Sequence, residues 1–472
     1  MRISVIGVGY LGAVHAAALA ELGHDVTGLD IDPDRVAALQ VGNAPFHEPG
    51  FADLLVQGLA SGRLRFTTDY ADIADAEVHF LGLGTPQRTD GHGADLSHLE
   101  AAVEALAAVL PARSGARTLV VGKSTVPAGT ARSLAARLSA VDGVSLLWNP
   151  EFLREGFAVR DSLSPDRIIY GLADPVAPGA AEQVALLDAV YERILALGMP
   201  RLVMDFETAE LVKVSANAFL ATKISFINAI AEVCETVGGD VTQIARAIGM
   251  DERIGSRFLR AGIGFGGGCL PKDLRAFLAS AEERGVAEAL SFLHEIDAIN
   301  QRRRTRVVDL AAEMLGGLQG RRITVLGAAF KPDSDDIRDS PALEVAERLL
   351  LAGAQVRITD PAALLATARR LPATEVEPDL ASALRGAELV VLATEWQQYR
   401  DLDPDWAASL VRARRILDGR NVLAPQEWRE AGWEIRSLGR ASTADTVSTA
   451  APASTADTAR TPGSEPRRLQ PV

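Results

Sequence analysis

The chain of 472 residues is 48% hydrophobic and 23% charged, with a formal net charge of −14 at pH 7. This length predicts two or three domains, and the acidic balance argues against non-specific binding to nucleic acid. Two cysteines are too few for a disulfide framework. Because there is also no signal peptide and no run of about 18 apolar residues, we expect a cytoplasmic protein without a membrane span.

The first half of the chain alternates strand-like and helix-like segments. A short apolar run, "RISVIG", precedes the helical pattern "YLGAVHAAALAELG", which stops at Gly23. Further strands that end in turn residues are "DVTGLDID", "EVHFLGLGTP" and "TLVVGKSTVP". This alternation predicts a parallel sheet covered by helices.

Helical patterns occupy the middle of the chain, from about Glu207 to Val237 and from about Val286 to Leu315. A second alternating region follows, with the strands "GRRITVLG", "AQVRITDP", "AELVVLAT" and "RRILDGR". We therefore predict an α/β protein with two Rossmann-like parallel-sheet domains, 1–200 and 317–440, joined by a long central helical region, 201–316. Residues 441–472 are rich in Ala, Ser, Thr and Pro, which predicts a disordered tail without a catalytic role.

The segment "GVGYLG" places Gly7, Gly9 and Gly12 in G-x-G-x-x-G spacing between a strand and a helix. Such glycines allow a tight turn, close approach of a pyrophosphate and close helix packing, while the helix N-terminus binds the phosphates. Asp30 ends the second strand, where a carboxylate binds ribose hydroxyls and disfavours a 2′-phosphate. The pattern predicts an NAD site with Asp30 in this role. Asp32 is its rival, and a purely structural glycine turn is the alternative.

A glycine-rich stretch, "GFGGGCLPKD" at 264–273, carries Cys269 at the start of a predicted helix. A free cysteine is commonly an inert buried residue, and we interpret Cys234 in that way. At Cys269 the glycines would let a substrate carbon approach, and the helix N-terminus and Lys272 would favour the thiolate. A nucleophilic cysteine beside an NAD site predicts oxidation of an aldehyde to an acid through a covalent adduct.

Nine motifs then occur in a fixed order: "GVGYLG", "HEPGF", "GTPQRTDGHGADLS", "KSTVPAGT", "NPEFLREG", "ELVKVSANAFLATKISFINAIAEVC", "RIGSRFLRAGIGFGGGCLPKD", "AAFKPDSDDIRDSP" and "DGRNVL". Together they resemble the UDP-glucose/GDP-mannose dehydrogenase family over residues 1 to about 440, and within it the group that acts on UDP-glucose. The resemblance implies a four-electron oxidation of UDP-glucose at C6 to UDP-glucuronate, with two NAD per turnover. It also implies a homodimer or a higher homo-oligomer.

The resemblance implies a set of catalytic residues: Cys269, Lys213, Asn217, Asp273, Glu151 and Thr125. Cys269 matches the family nucleophile, Glu151 is implied in thioester hydrolysis, and Thr125 would orient the water. Lys213 and Asn217 lie on one helix face and, with Asp273, are implied near C6, although such polar residues are usually surface or capping residues. The proton acceptor of the first oxidation stays open among Lys213, Asp273 and a water that they hold.

The binding residues are implied in the same way, and no metal is expected. The implied cofactor-binding residues are Gly7, Gly9, Tyr10, Leu11, Gly12, Asp30, Arg35, Thr85, Ser124, Thr125, Glu155, Lys272 and Arg338. The implied substrate-binding residues are Glu151, Phe152, Leu153, Lys213, Asn217, Arg253, Arg260, Phe265, Gly266, Lys331 and Arg420. Of these, Arg253 resembles an arginine that reaches the active site of a neighbouring subunit, and the basic residues would clamp a pyrophosphate.

Other functions compete with this interpretation. A close alternative is a dehydrogenase for GDP-mannose or a UDP-N-acetylhexosamine. A two-electron 3-hydroxyacid dehydrogenase would need neither Cys269 nor a second α/β domain. The second domain begins with "ITVLGAAFKP", which lacks G-x-G-x-x-G after its first strand, and we therefore expect no second dinucleotide site there. A non-catalytic nucleotide-sugar sensor would predict the loss of Cys269, Lys213 or Asp273, and all three are present.

Overall fold

The computed structural model describes residues 1–110 and 118–440, and the predicted tail lies outside them. Two parallel-rich sheets form two α/β units, which confirms the predicted fold class. The first unit contains β1 (Arg2–Ile6), α1 (Tyr10–Glu21), β2 (Asp25–Leu29), α2 (Pro33–Gln40), α3 (Phe51–Ala60), β3 (Leu64–Thr67), β4 (Val78–Leu81), α4 (Ser97–Val109), β5 (Thr118–Gly122), α5 (Thr130–Leu138), β6 (Val144–Trp148), α6 (Ala158–Leu163), β7 (Ile168–Leu172), α7 (Ala180–Val190), α8 (Glu192–Leu195) and β8 (Arg201–Asp205).

The first sheet has the strand order β3-β2-β1-β4-β5-β6-β7-β8. Neighbouring strands are parallel except for β6 and β7, which meet antiparallel at Trp148 and Gly171. Strands β2 and β3 are added on one side of β1, and β4 and the later strands are added on its other side, so the strand order reverses between β1 and β4. Because nucleotides bind at the carboxyl ends of strands at such a reversal, this edge is the expected binding edge.

The central region contains four helices: α9 (Phe206–Val237), α10 (Val241–Ile248), α11 (Leu270–Glu283) and α12 (Phe292–Leu315). Helix α9 begins where Asp205 accepts a hydrogen bond from the amide of Thr208 and ends at Gly238, which has a φ of +82°. The helix predicted from about Val286 to Leu315 is interrupted. A short 3-10 helix, Ala287–Leu290, precedes α12, and none of its residues is buried to anchor a longer helix.

Helix α9 is the one helix of the described residues that is long and apolar enough to cross a membrane by length and composition, a test that core helices also pass. Polar residues such as Lys213 and Asn217 interrupt it, so no uninterrupted apolar run is visible in the sequence. It packs against α11 and α12, and 44% of its most apolar 18-residue window is buried within the fold. These contacts make α9 the core helix of the central region.

The second unit is a six-stranded, fully parallel sheet with the order β11-β10-β9-β12-β13-β14. Its elements are β9 (Arg322–Leu326), α13 (Pro341–Leu351), β10 (Gln355–Thr359), α14 (Leu364–Arg370), β11 (Glu375–Val376), α15 (Leu380–Leu384), β12 (Leu389–Leu392), α16 (Gln397–Arg400), α17 (Pro404–Ala408), β13 (Arg415–Asp418), α18 (Pro425–Glu430) and β14 (Glu434–Ser437). The first sheet extends to Asp205 through β8, and the domain boundaries at 200 and 316 remain predictions.

Asp360 follows β10 in the second unit, at the position that Asp30 has after β2 in the first. Its buried carboxylate accepts hydrogen bonds from the amides of Ala328 and Ala329, at 2.7 and 3.0 Å, and from the indole of Trp396 at 3.1 Å. These donors hold the loop after β9 against the carboxylate. The acidic residue of this unit therefore organises the loop after β9.

Candidate active site

The loop between β1 and α1 forms an anion-binding helix N-terminus. Gly7 has a φ of +86°, and a Cβ at Gly12 would lie 1.8 Å from the carbonyl oxygen of Gly7, so both positions require glycine. At Gly9, the N-cap of α1, an added Cβ would meet no atom within 4 Å. The first turn of α1, with Tyr10 and Leu11, has no side-chain cap and no acidic residue, so its amides fit a pyrophosphate.

Asp30, the predicted ribose-binding carboxylate, is buried beside this loop. It accepts hydrogen bonds from the amides of Val8 and Asp32, at 2.9 and 3.1 Å, and Arg35 Nη1 lies 2.9 Å from its Oδ2. Asp32 instead caps α2 through the amides of Asp34 and Arg35. Because Asp30 contacts the glycine loop through the Val8 amide, the geometry favours Asp30, and the predicted residues here fit the adenosine half of NAD.

The glycines before Cys269 allow close packing against the second unit, which the sequence interpretation did not anticipate. A Cβ at Gly266 would lie 2.2 Å from the carbonyl oxygen of Asp339, and one at Gly267 would lie 2.7 Å from the Phe330 ring. A Cβ at Gly268 would lie 2.3 Å from the Arg338 guanidinium. The loop therefore needs glycine first for contact between the central region and the second unit, and not only for access of a sugar to the thiol.

Cys269 is the N-cap of α11 and is accessible from solvent. The protein around the thiol nevertheless desolvates its charged form and, with the nearby Glu151 carboxylate, raises its pKa to about 12, against the opposing charge of Lys213. This environment favours the neutral thiol in the ligand-free protein, against the expectation that the helix N-terminus and Lys272 favour the thiolate. Lys272, which was expected to favour the thiolate, forms its ion pair with Asp273 at 2.6 Å.

Four predicted catalytic residues converge on this thiol from different elements. Lys213 and Asn217, both buried on α9, lie one turn apart, and Lys213 Nζ lies 2.9 Å from Glu151 Oε1 after β6. Asn217 donates to Asp273 of α11 at 2.7 Å. Burial opposes the charge of Lys213, but the carboxylates of Glu151 and Asp273 raise its pKa above the ordinary lysine value. The site thus keeps a buried cation where an oxyanion can develop.

The loops after β4 and β5 bring three more predicted residues to the same edge. Thr85 donates to the carbonyl oxygen of Thr125 at 2.8 Å, and Ser124 donates to that of Leu83 at 2.6 Å. Lys272 of α11 donates to Thr85 at 3.3 Å and so links the central region to the first unit. The three hydroxyl residues therefore lie together at the carboxyl ends of the strands, as the sequence predicts.

Lys123, which the sequence interpretation did not single out, is a buried lysine directly after β5. Its Nζ donates to Asn149 Oδ1 at 3.0 Å, and Asn149 also accepts a hydrogen bond from the Tyr191 hydroxyl at 2.8 Å. Burial lowers the pKa of Lys123 to about 8, although Glu151 partly opposes this effect. The signal that could have found it is a lysine at the end of an otherwise apolar parallel strand.

Glu155 joins the first unit to the second. Its carboxylate lies 3.2 Å from Arg338 Nη2, and the Ser334 hydroxyl lies 3.4 Å from its other oxygen. Burial and the Asp336 carboxylate raise the pKa of Glu155 to about 7. Lys331 acts on the same carboxylate from the second unit, and burial lowers the pKa of Lys331 itself. The predicted residues Glu155, Lys331 and Arg338 therefore meet in one cluster between the two units.

Two predicted substrate-binding arginines face one carboxylate, Glu395. Its oxygens lie 3.7 Å from Arg260 Nη1 and 3.3 Å from Arg420 Nε. Arg420 also donates to the carbonyl oxygens of Ala393 and Gly264 at 2.6 and 2.9 Å. Arg253 lies apart from this group. It is 88% exposed and pairs with Asp251, so the structure of one subunit does not bring it to the cleft.

The remaining predicted residues lie beside Lys213 and Glu151 or on the loop that leads to Cys269. Phe152 lies under the ammonium group of Lys213, 5.5 Å from ring centre to Nζ, and the amide of Leu153 donates to Glu151 at 2.8 Å. Phe265 is buried, and its amide donates to Asn300 at 2.8 Å. Gly266 follows Phe265 and lies against Asp339 and Pro341 of the second unit. Within residues 1–110 and 118–440 there is no group of three or more potential metal-ligating His, Cys, Asp or Glu side chains.

A dinucleotide fold, a second α/β unit and a thiol flanked by a buried lysine and carboxylates together fit a nicotinamide-dependent oxidoreductase. Comparison with protein families gives three consecutive matches to the UDP-glucose/GDP-mannose dehydrogenase family: its NAD binding domain over residues 1–195, its central domain over 207–302 and its UDP binding domain over 324–425. The chain belongs to this family, and its dinucleotide is NAD.

Individual relatives match over almost their full length. The chain is 40% identical to a UDP-glucose 6-dehydrogenase of Pseudomonas aeruginosa, covering 96% of this chain and 100% of the relative, and 42% identical to UDP-glucose 6-dehydrogenase AglM of Haloferax volcanii, covering 90% and 98%. A solved UDP-glucose dehydrogenase of Pyrobaculum islandicum is 39% identical with a TM-score of 0.82, covering 92% of this chain and 98% of that one.

Proposed function

We propose that the protein oxidises the C6 alcohol of UDP-glucose to the carboxylate of UDP-glucuronate, in two successive oxidations that use two NAD. The observation that carries the proposal is the convergence of Cys269, Lys213 and Glu151 between a dinucleotide unit and a second α/β unit. The relatives named UDP-glucose 6-dehydrogenase support this choice of sugar nucleotide.

In the first oxidation the C6 alcohol loses a proton and a hydride and becomes an aldehyde. The buried cation of Lys213 stabilises the oxygen as the proton leaves, and Asp273, held by Asn217 and Lys272, lies beside it. When bound, NAD takes the hydride in each of the two oxidations. The proton acceptor is Lys213, Asp273 or a water between them.

In the second oxidation the sulfur of Cys269 forms a bond to the aldehyde carbon. Because the pKa of Cys269 is about 12 in the ligand-free protein, the thiol proton passes to solvent water as this bond forms, and Lys213 offsets the negative charge on the oxygen of the resulting thiohemiacetal. Loss of the second hydride leaves a thioester. Water then cleaves the carbon–sulfur bond, with Glu151 as the base and Thr125 orienting the water, and the acid and the thiol are released.

The protein is further proposed to work as a homodimer in the cytoplasm. An apolar stripe of exposed side chains runs along α9, at Leu211, Phe219, Phe226, Val233 and Val237. A row of exposed apolar side chains along one helix fits an equivalent row on a second copy. Such pairing would let Arg253 serve the active site of the partner. Cys234 and Cys269 are both free thiols, which fits a reducing compartment.

The test is a substrate panel followed by NADH absorbance. UDP-glucose is expected to yield two NADH per sugar nucleotide consumed, and Cys269→Ser is expected to lower steady-state UDP-glucuronate formation by about 10³-fold or more while NAD still binds. GDP-mannose and UDP-N-acetylhexosamines serve as competing substrates, because a solved UDP-D-ManNAc dehydrogenase of Pyrococcus horikoshii shares the fold at 27% identity and a TM-score of 0.79. A ratio of one NADH per sugar, or faster turnover of a competing substrate, would contradict the proposal.

A further inference from the structure

The motif "HEPGF" at 47–51 places a buried glutamate, Glu48, at the junction of three segments of the first unit. Its Oε2 accepts a hydrogen bond from the amide of Gly156 at 2.6 Å, and its Oε1 accepts one from the amide of Ala158 at 2.7 Å. The hydroxyl of Tyr10 also donates to Oε2. None of the steps above uses this carboxylate, although it is only 6% exposed.

The two backbone amides belong to the segment that carries the reaction carboxylates. Residues 151–158 run from Glu151, which pairs with Lys213, through Glu155 to the first residue of α6. Gly156 has a φ of +76°, and a Cβ there would lie 3.1 Å from the carbonyl oxygen of Asp333 in the second unit. The segment therefore passes through a narrow space between the two units, and Glu48 fixes it on the side of the first unit.

The phenol belongs to the dinucleotide loop. Tyr10 is the first residue of α1, directly after Gly9, and its ring lies 4.6 Å from that of Phe46, which stacks on Phe51 at 4.9 Å. Burial and the hydrogen bond to Glu48 raise the pKa of the Tyr10 phenol, so the hydroxyl remains a donor. Glu48 thus connects the helix N-terminus that fits the pyrophosphate to the segment 151–158.

We propose that Glu48 is a positioning residue that holds the NAD-binding loop and the segment 151–158 in one geometry, so that Glu151 and Glu155 stay aligned with Cys269 and the cofactor. This inference rests on the proposed oxidation of UDP-glucose. A carboxylate suits the position because both of its oxygens accept a backbone N–H. In a glutamine side chain the NH₂ group would replace one of these oxygens. It would face a backbone N–H, which is also a donor, and that backbone N–H would lose its hydrogen bond.

Glu48→Gln is therefore the first test. NADH formation with UDP-glucose is measured in the pre-steady state and in the steady state, and the steady-state rate is divided by the burst amplitude, which counts functional sites. We expect kcat per functional site to fall about 10- to 100-fold, KM for NAD to rise, and KM for UDP-glucose to stay within about threefold. A merely structural carboxylate would lower the number of functional sites and the melting temperature and leave the rate per site unchanged.

Two further variants keep the test decisive. Tyr10→Phe keeps the ring on Phe46 and the two amide hydrogen bonds to Glu48. It removes the phenolic donor and the hydrogen bond that the phenol accepts from the Gly156 amide at 3.2 Å, and we expect a three- to tenfold lower kcat per site. Asp379→Asn is the matched control, because Asp379 caps α15 at the surface of the second unit, and its rate should equal that of the wild type.

The outcomes separate the two proposals. A wild-type protein that forms no NADH with UDP-glucose would contradict the proposed function, whatever the variants do. An active wild type whose Glu48→Gln rate per site stays within threefold would overturn the role of Glu48. If Glu48→Gln does not fold, an unchanged rate per site in Tyr10→Phe overturns it instead, and a lowered one supports it.

Discussion

At the scale of single residues, the protonation state of the Cys269 thiol depends on its neighbours in space more than on its position in the sequence. A helix N-terminus and an adjacent lysine favour a thiolate in isolation. In the folded protein, Lys272 is paired with Asp273, while desolvation and the Glu151 carboxylate favour the protonated thiol. The fold thus favours the neutral thiol in the ligand-free protein, and the proposed mechanism assigns the charge that develops on the adduct oxygen to Lys213.

This protonation state predicts a slow, pH-dependent alkylation of Cys269. Because the pKa is raised to about 12, iodoacetamide should react with Cys269 at pH 7 about 10³-fold more slowly than with an ordinary exposed thiol, and the rate should rise about tenfold per pH unit up to pH 9. The measurement is a rate from mass spectrometry of the Cys269 peptide, with Cys269→Ser to identify any signal from Cys234. Rapid alkylation that does not change between pH 6 and pH 8 would instead show a preformed thiolate.

At the scale of elements, neighbouring strand ends hold the polar residues of the site in place. Gly122 at the end of β5 pairs with Trp148 at the end of β6, so Lys123 and Asn149 follow side by side. Lys123 donates to Asn149, and Asn149 donates to the carbonyl oxygen of Ile169 in β7 at 2.9 Å. The buried lysine therefore stabilises the start of the segment that leads to Glu151, at the cost of burying its charge.

This cost predicts a pH-dependent effect of Lys123→Met on stability. The pKa of Lys123 falls from 10.5 to about 8 on folding, so between these values the unfolded chain binds more protons and wild-type stability rises with pH. Methionine does not titrate. The free energy of unfolding of the wild type should therefore rise relative to that of the variant by up to about 3 kcal/mol between pH 8 and pH 10.5. Urea unfolding of both proteins at pH 7.5, 8.5 and 9.5 measures the effect. A stability difference that is constant with pH would contradict burial of a charged lysine.

At the scale of the whole molecule, the site is assembled between units. Glu155 of the first unit meets Arg338 of the second, Lys272 of the central region bonds Thr85 of the first, and the glycines at 266–268 let the central region touch the second unit. The exposed stripe on α9 lies on the same helix as Lys213 and Asn217. An interface on that stripe would therefore stiffen the helix that carries two of the predicted catalytic side chains.

The proposed dimer predicts that Phe226→Asp yields monomers. Phe226 lies in the middle of the α9 stripe and is 50% exposed, and a charge there should prevent two apolar faces from meeting. Sedimentation velocity measures the oligomeric state, and loss of activity in the monomer would agree with a contribution of Arg253 in trans. Leu351→Asp, an exposed apolar position at the end of α13, is the matched control and should remain dimeric. A Phe226→Asp protein that stays dimeric would exclude this face.

The fold class and the dinucleotide loop could be predicted because their signals are local. Alternation of apolar strands and helices, the spacing of Gly7, Gly9 and Gly12, and Asp30 at a strand end all lie within about 30 residues of one another. The comparisons confirm the family to which the motifs point. The roles of the individual site residues stay predictions, although the structure brings Cys269, Lys213, Asn217, Asp273 and Glu151 close together.

Only the tertiary structure decided the protonation of Cys269, the partner of Lys272, the packing role of the glycines and the place of Glu48. Each of these depends on residues far apart in the chain: Glu48 bonds Gly156, and Gly268 touches Arg338. Periodicity and spacing report local conformation, whereas burial and long-range pairing set the electrostatic environment of a charged group. The sequence by itself thus determined which chemical groups this protein carries, and the packing of its three regions determined their charge and their partners.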